Sequence, residues 1–116
     1  MWRRSFALAF LIAITACRGT SAPQPISGER LYRTYCQTCH GPDGRGQRGG
    51  KAYAADFTRP DGILRMDDAH LATSIRDGRQ GSLGPMPAFA PILDSEEITA
   101  VIAYIRARFG QAEQEP

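Results

Sequence analysis

The run Cys36-Gln37-Thr38-Cys39-His40 constrains this chain more than any other feature. Two thiols three positions apart lie about one helical turn from each other, so a single turn can present both to one flat, apolar group. A histidine directly after the second cysteine brings an imidazole to the same place. Cys-x-x-Cys-His is the attachment pattern of a c-type haem, in which the thiols become thioethers on the two vinyl groups and the imidazole takes an axial position on iron. One short segment then both anchors and ligates the cofactor. Other uses of a Cys-x-x-Cys pair fit less well. Structural zinc takes four ligands, usually through a second Cys or His pair, and the remaining candidates are the distant His70 and Cys17. A thiol-redox motif belongs in a βαβ context, whereas these flanks read as helix before and glycine-rich loop after.

The chain has 116 residues, enough for one small domain. Its first stretch stands outside that domain. Met1-Trp2-Arg3-Arg4 is a basic start, and the apolar run from Ser5 to Thr15 suits an export signal but is too short to span a bilayer. Ile14-Thr15-Ala16-Cys17 resembles a bacterial lipobox. The resemblance implies that residues 1–16 are a lipoprotein signal peptide and that Cys17, acylated, anchors the mature chain in a membrane. An ordinary secretory signal with a chance cysteine is the alternative, and it leaves an exposed free thiol outside the cytoplasm. Several acyl chains give the stable anchoring that a single one does not. Arg18, where inner-membrane retention often uses aspartate, leans toward the outer membrane, on its periplasmic side. Residues 17–26, broken by Pro23 and Pro25, read as a lipidated tether.

Arg3 and Arg4 account for the whole formal charge of +2, so the chain after cleavage is near neutral. The charge is unevenly spread. Arg18 to Arg65 carries eight cations against four carboxylates, and Met66 to Pro116 carries four against eight. Such a dipole can orient a docking protein, and nothing in it points to nucleic acid.

Three helices are expected. Ser27 caps a first helix from Gly28 that carries Leu31, Tyr32 and Tyr35 toward the cysteines, and Gly41 to Lys51 follows as an irregular loop. Asp67 or Asp68 opens a second helix through Leu71, Ala72 and Ile75, which Gly78 ends. The third opens at Asp94 or Ser95 and closes at Gly110, with Ile98, Val101, Ile102, Ile105 and Phe109 at helical spacing. No stretch alternates enough to predict a strand. The domain therefore runs over 27–110, with 111–116 a polar tail. A core this small is marginal without the apolar bulk of a cofactor.

Cys36-Gln37-Thr38-Cys39-His40-Gly41 resembles the haem site of class I c-type cytochromes, and two further features resemble the same family in the same order. Gly28, Tyr32 and Tyr104 match the positions where its terminal helices cross, and Gly84-Pro85-Met86-Pro87-Ala88-Phe89 resembles its axial-methionine loop. The resemblance implies an all-α cytochrome c fold, with three to four helices around one covalent haem c held by Cys36 and Cys39. His40 and Met86 would be the metal ligands. Pro85 and Pro87 stiffen the segment that presents the Met86 thioether. Met66 and His70 are the weaker alternatives for the sixth position, the first lacking a stiff loop and the second lying on a helix beside Asp67 and Asp68. The Gly-Pro-x-Leu segment whose carbonyl orients the axial histidine in many members is missing, which leaves that acceptor open. Arg45, Arg48, Lys51, Tyr53, Arg59 and Arg79 are candidate propionate partners, and Phe57 and Phe89 candidate packing residues. The function implied is one-electron transfer with no substrate turnover, to redox proteins or a membrane respiratory complex. Two rivals are a haem-c subunit of a larger dehydrogenase or terminal oxidase and an open-site haem enzyme or gas sensor.

Overall fold

The computed structural model describes residue 19 and residues 21–110; the signal segment 1–16, Cys17 and the tail 111–116 lie outside the described residues. Residues 21–26 form no helix or strand and are exposed. The first helical run then begins as expected, with the Arg30 N–H donating to Ser27 Oγ at 3.2 Å. It comprises α1 (Gly28–Leu31), a π turn (Tyr32–Cys36) and α2 (Gln37–His40). The π turn is a departure from the sequence reading and has a geometric consequence. Eight residues of uninterrupted α-helix separate Tyr32 from His40, which would leave the two side chains about 80° apart around the axis. A π turn absorbs one extra residue, which brings them within about 20°. Both are buried, Tyr32 at 1% and His40 at 9% exposure.

The last helix, α4 (Ser95–Phe109), opens with a capping box in which the Asp94 side chain accepts from the Glu97 N–H and the Glu97 side chain accepts from the Asp94 N–H. Its five periodic apolar residues are all buried. Where α1 crosses it, a Cβ on Gly28 would sit 2.1 Å from the Ala100 carbonyl oxygen and 2.9 Å from Tyr104 Cβ. The backbones touch because position 28 has no side chain. Tyr32 and Tyr104 meet beside that crossing with ring centroids 5.4 Å apart. Gly28→Ala is expected to force the helices apart at roughly 1–3 kcal/mol, seen as a fall in melting temperature of about 5–20 °C. An unchanged thermal melt would show that the crossing tolerates a side chain.

Helix α3 (Asp68–Asp77) packs on α4 and is capped by Asp67, which accepts the His70 N–H at 2.8 Å. Arg106 ties it there. From α4 its guanidinium donates to the carbonyls of Leu64 at 2.7 Å and Met66 at 2.6 Å and pairs with Asp68 at 2.6 Å, fixing the 3₁₀ turn Ile63–Arg65. Asp68 is well exposed, so the ion pair adds little and the carbonyl bonds do most of the positioning.

Two short antiparallel hairpins accompany the helices, so the fold is not strictly all-α, and one of them stands in the irregular loop expected over Gly41 to Lys51. One pairs β1 (Gln47–Arg48) with β2 (Lys51–Ala52), the other β3 (Arg79–Gly81) with β4 (Gly84–Met86). Strands of two or three residues carry too little alternation to register as a period. In the first hairpin the turn residues Gly49 and Gly50 have φ of 57° and 75°, the pair of positive values that a two-residue hairpin turn demands.

Candidate functional site

Cys36, Cys39 and His40 are presented by one helical stretch, with Cys36 half-buried at the start of α2, Cys39 exposed and His40 turned inward at its end. Gly41 follows with φ 80°, which lets the chain leave the helix at once. The Tyr32 hydroxyl donates to the Gly41 carbonyl at 2.6 Å, so the exit of this segment is tied back to its own beginning. Burial raises the Tyr32 phenol far above its usual range and keeps it a donor.

The carbonyl that the sequence left open belongs to Ala55. His40 Nδ1 lies 3.2 Å from that oxygen, and a chain of backbone bonds brings Ala55 there. The Gly46 N–H donates to the His40 carbonyl at 2.9 Å, while the Gly46 carbonyl accepts from Tyr53 at 2.7 Å and Ala54 at 3.0 Å. A Cβ at Gly46 would fall 2.2 Å from the Ala54 oxygen, so only glycine permits this approach. Burial lowers the His40 pKa, and the hydrogen bond to the Ala55 carbonyl raises it by less. The net effect favours neutral imidazole. With Nδ1–H donating to Ala55, Nε2 carries the lone pair.

Burial pushes the Cys36 thiol up to about 11, with Cys39 adding to the rise. That is the reverse of the depressed pKa of a thiol-redox or thiolate-ligand pair. Among the described residues no three His, Cys, Asp or Glu side chains converge into a metal cluster.

Met86 ends β4, half-buried against the same core as Cys36. Its segment is held over the end of α3. The register sets Arg79 opposite Met86, and the N–H groups of Phe89 and Ala90 donate to the carbonyls of Ile75 (2.9 Å) and Arg76 (3.1 Å), which the end of a helix leaves without internal partners. Gly78, with φ 74°, makes the approach possible: a Cβ there would lie 2.6 Å from the Met86 carbonyl oxygen. Tyr35 meets Phe89 edge-on at 6.3 Å, so the methionine segment packs on the residue next to Cys36.

The other candidates lie elsewhere. Met66 is 46% exposed, and His70 is an exposed residue of α3 whose Nε2 lies 3.1 Å from Arg79 Nη1. Of the cations, Arg48 donates to the Thr38 carbonyl at 2.6 Å, between the two cysteines, and stacks over Tyr53 at 4.9 Å. Arg59 pairs with Asp61. Sequence reasoning missed the Ala55 acceptor, for which no local pattern exists, and the face-to-face contact of Phe57 with the His40 ring at 4.4 Å.

Against known proteins, the profile described as cytochrome C oxidase, cbb3-type, subunit III matches residues 23–105. The chain belongs to this family. It is 30% identical over 88 residues to the cbb3-type cytochrome c oxidase subunit CcoP of Helicobacter pylori, a match covering 74% of this chain and 28% of the relative. It is 34% identical over 99 residues to the dihydro-heme d1 dehydrogenase of Pseudomonas aeruginosa, covering 85% of this chain and 17% of that protein. The c-type cytochrome XoxG of Methylobacterium extorquens AM1 superposes with a TM-score of 0.59 at 28% identity, over 75% of this chain and 51% of XoxG. The chain thus spans well under a third of the length of these curated relatives. Membership of a family of c-type cytochromes implies haem c as the cofactor, and electron transfer is the chemistry consistent with it.

Proposed function

We propose that this chain is an exported one-electron carrier with a single haem c, held through thioethers from Cys36 and Cys39 and ligated by His40 and Met86. One observation carries the reading. His40, in a Cys-x-x-Cys-His turn, is buried with Nδ1 on the Ala55 carbonyl, which fixes the tautomer and leaves Nε2 as the donor atom. The residues present fit the group in kind: two thiols on one turn, a neutral imidazole, and a thioether from a segment packed against that turn. When bound, haem c supplies the Fe(II)/Fe(III) couple. The chain supplies the rest. Met86 is restrained by Pro85, Pro87 and the β3–β4 ladder, so little rearrangement accompanies a change of charge. Phe57, stacked on His40, and Phe89, against Tyr35, contribute buried apolar surface that keeps water from the site.

The domain bounds belong to the same reading: signal peptide 1–16, lipidated tether 17–26, cytochrome domain 27–110 and polar tail 111–116. Among the described residues no helix is long and apolar enough to cross a membrane. In this reading the acylated Cys17 attaches the chain at the periplasmic face of a bacterial membrane, which metabolic labelling with a fatty acid checks directly.

The relatives favour a second reading, in which the domain is a fixed haem-c subunit of a larger terminal oxidase or dehydrogenase. They carry those activities in their names and are several times longer than the matched region. Recovery of a stable complex in mild detergent separates this from a free shuttle. The electron-carrier reading itself is tested by absorption spectra of the protein matured with haem. A low-spin spectrum in both oxidation states, with no carbon monoxide adduct in the reduced form, is expected. A ready adduct would instead mark an open-site haem enzyme or sensor.

A further inference from the structure

Resting on the reading of His40 as an axial ligand, we propose that Phe57 is a positioning residue, its ring setting the rotation of the His40 imidazole plane. The torsion that turns an imidazole about Cβ–Cγ has broad, shallow preferences, so rotamer choice alone does not fix it. The hydrogen bond to Ala55 constrains one edge. The face is constrained by Phe57, whose ring lies 4.4 Å from that of His40, centroid to centroid, at an interplanar angle of 17°. Two residues of one segment, 55 and 57, therefore hold the imidazole by edge and by face.

Phe57 is itself immobilised. Its N–H donates to the Gly44 carbonyl at 2.8 Å, and its ring stacks on Phe109 of α4 at 6.0 Å and 28°. Phe109 seats over Gly44, where a Cβ would come within 2.7 Å of it, and meets Tyr32 at 5.4 Å. The Tyr32 hydroxyl returns to Gly41, the residue after His40. The contacts thus close into a ring that begins and ends at the ligand. Through it the packing of the last helix reaches the imidazole plane, and that plane sets the direction of the Nδ1–H bond and, together with the other axial ligand, contributes to the magnetic anisotropy of a ferric centre.

The test uses the haem-loaded full chain and two substitutions. Phe57→Leu keeps apolar volume but removes the flat face, and Phe57→Tyr keeps the face while adding a single hydroxyl to a residue that lines, with Thr58 and Arg59, a cavity of about 280 Å³. The readout is the pattern of haem-methyl shifts in the paramagnetic NMR spectrum of the ferric protein. The Leu variant is expected to reorder or compress that pattern, and the Tyr variant to retain it. A Leu variant with wild-type shifts overturns the proposal, as does a Tyr variant displaced as far as Leu. Should the Leu variant not load haem, Phe57→Met replaces it with the same two outcomes. The wild-type spectrum keeps the two readings apart. Without a histidine-ligated low-spin iron in the wild type, the ligand assignment fails; with one, and with no response to Phe57→Leu, only the positioning role fails.

Discussion

Alanine at both Cys36 and Cys39 is expected to abolish covalent haem attachment, with all haem stain lost from the protein band on a denaturing gel. The two thioethers are the only covalent links the reading allows, and the chain offers just one further cysteine, Cys17, outside the domain. Alanine is the apt replacement because Cys36 packs against the hydrophobic core, where serine would bury a hydroxyl. The single variants should differ. Cys36 is half-buried at a fixed helical start and Cys39 is exposed, so loss of Cys36 also removes core contact and should lower thermal stability more. Haem held only by axial ligands would be extracted by acidified organic solvent, giving a second readout. Stain retained by the double variant would refute the attachment sites.

The sequence was most informative where chemistry or capping depends on neighbouring residues. Ser27, Asp67, Asp94, Gly78 and Gly110 stand where the helices start and stop, because a cap is a local hydrogen bond, accepted by the side chain at Ser27, Asp67 and Asp94 and donated by the backbone N–H at the two glycines. The Gly28 crossing was legible through the resemblance of Gly28, Tyr32 and Tyr104 to the family's helix crossing, and a Cβ at Gly28 would indeed lie 2.1 Å from the Ala100 oxygen. Other features needed three dimensions. The π turn over Tyr32–Cys36 has no composition of its own; its effect, turning both Tyr32 and His40 inward, shows only in three dimensions. The Ala55 acceptor is a backbone oxygen, supplied by whichever residue the loop delivers, and the delivery rests on Gly46 and its bonds to Tyr53 and Ala54. Phe57 was visible as an aromatic of the core, but its partner ring lies seventeen positions earlier in the chain. Arg106 carries no local signature of its role, since the three groups it reaches, on Leu64, Met66 and Asp68, lie about forty positions earlier in the chain.

Met86→Ala is expected to leave haem covalently attached while opening the sixth position and lowering the reduction potential by something on the order of 0.1–0.3 V, a fraction of the roughly 0.8 V that axial ligation spans. A neutral thioether favours the ferrous state, and its replacement by water stabilises the extra charge of the ferric one. The fold around it should survive. The register with Arg79 and the bonds from Phe89 and Ala90 to the end of α3 are made by backbone atoms, so the hairpin persists when the side chain is cut back. What is lost is half-buried apolar volume, a modest destabilisation beside the change in the spectrum. The control is Met66→Ala, whose side chain is 46% exposed and sits on the turn held by Arg106, and which should shift neither spectrum nor potential. Titration with imidazole supplies an independent measure, since the Met86 variant should bind it without first displacing a protein ligand. Unchanged low-spin spectra in Met86→Ala, with the signal lost in Met66→Ala instead, would move the sixth ligand to the turn before α3. The β3–β4 hairpin would then be an edge structure packed on α3, and its prolines would serve only to keep that edge from pairing with other chains.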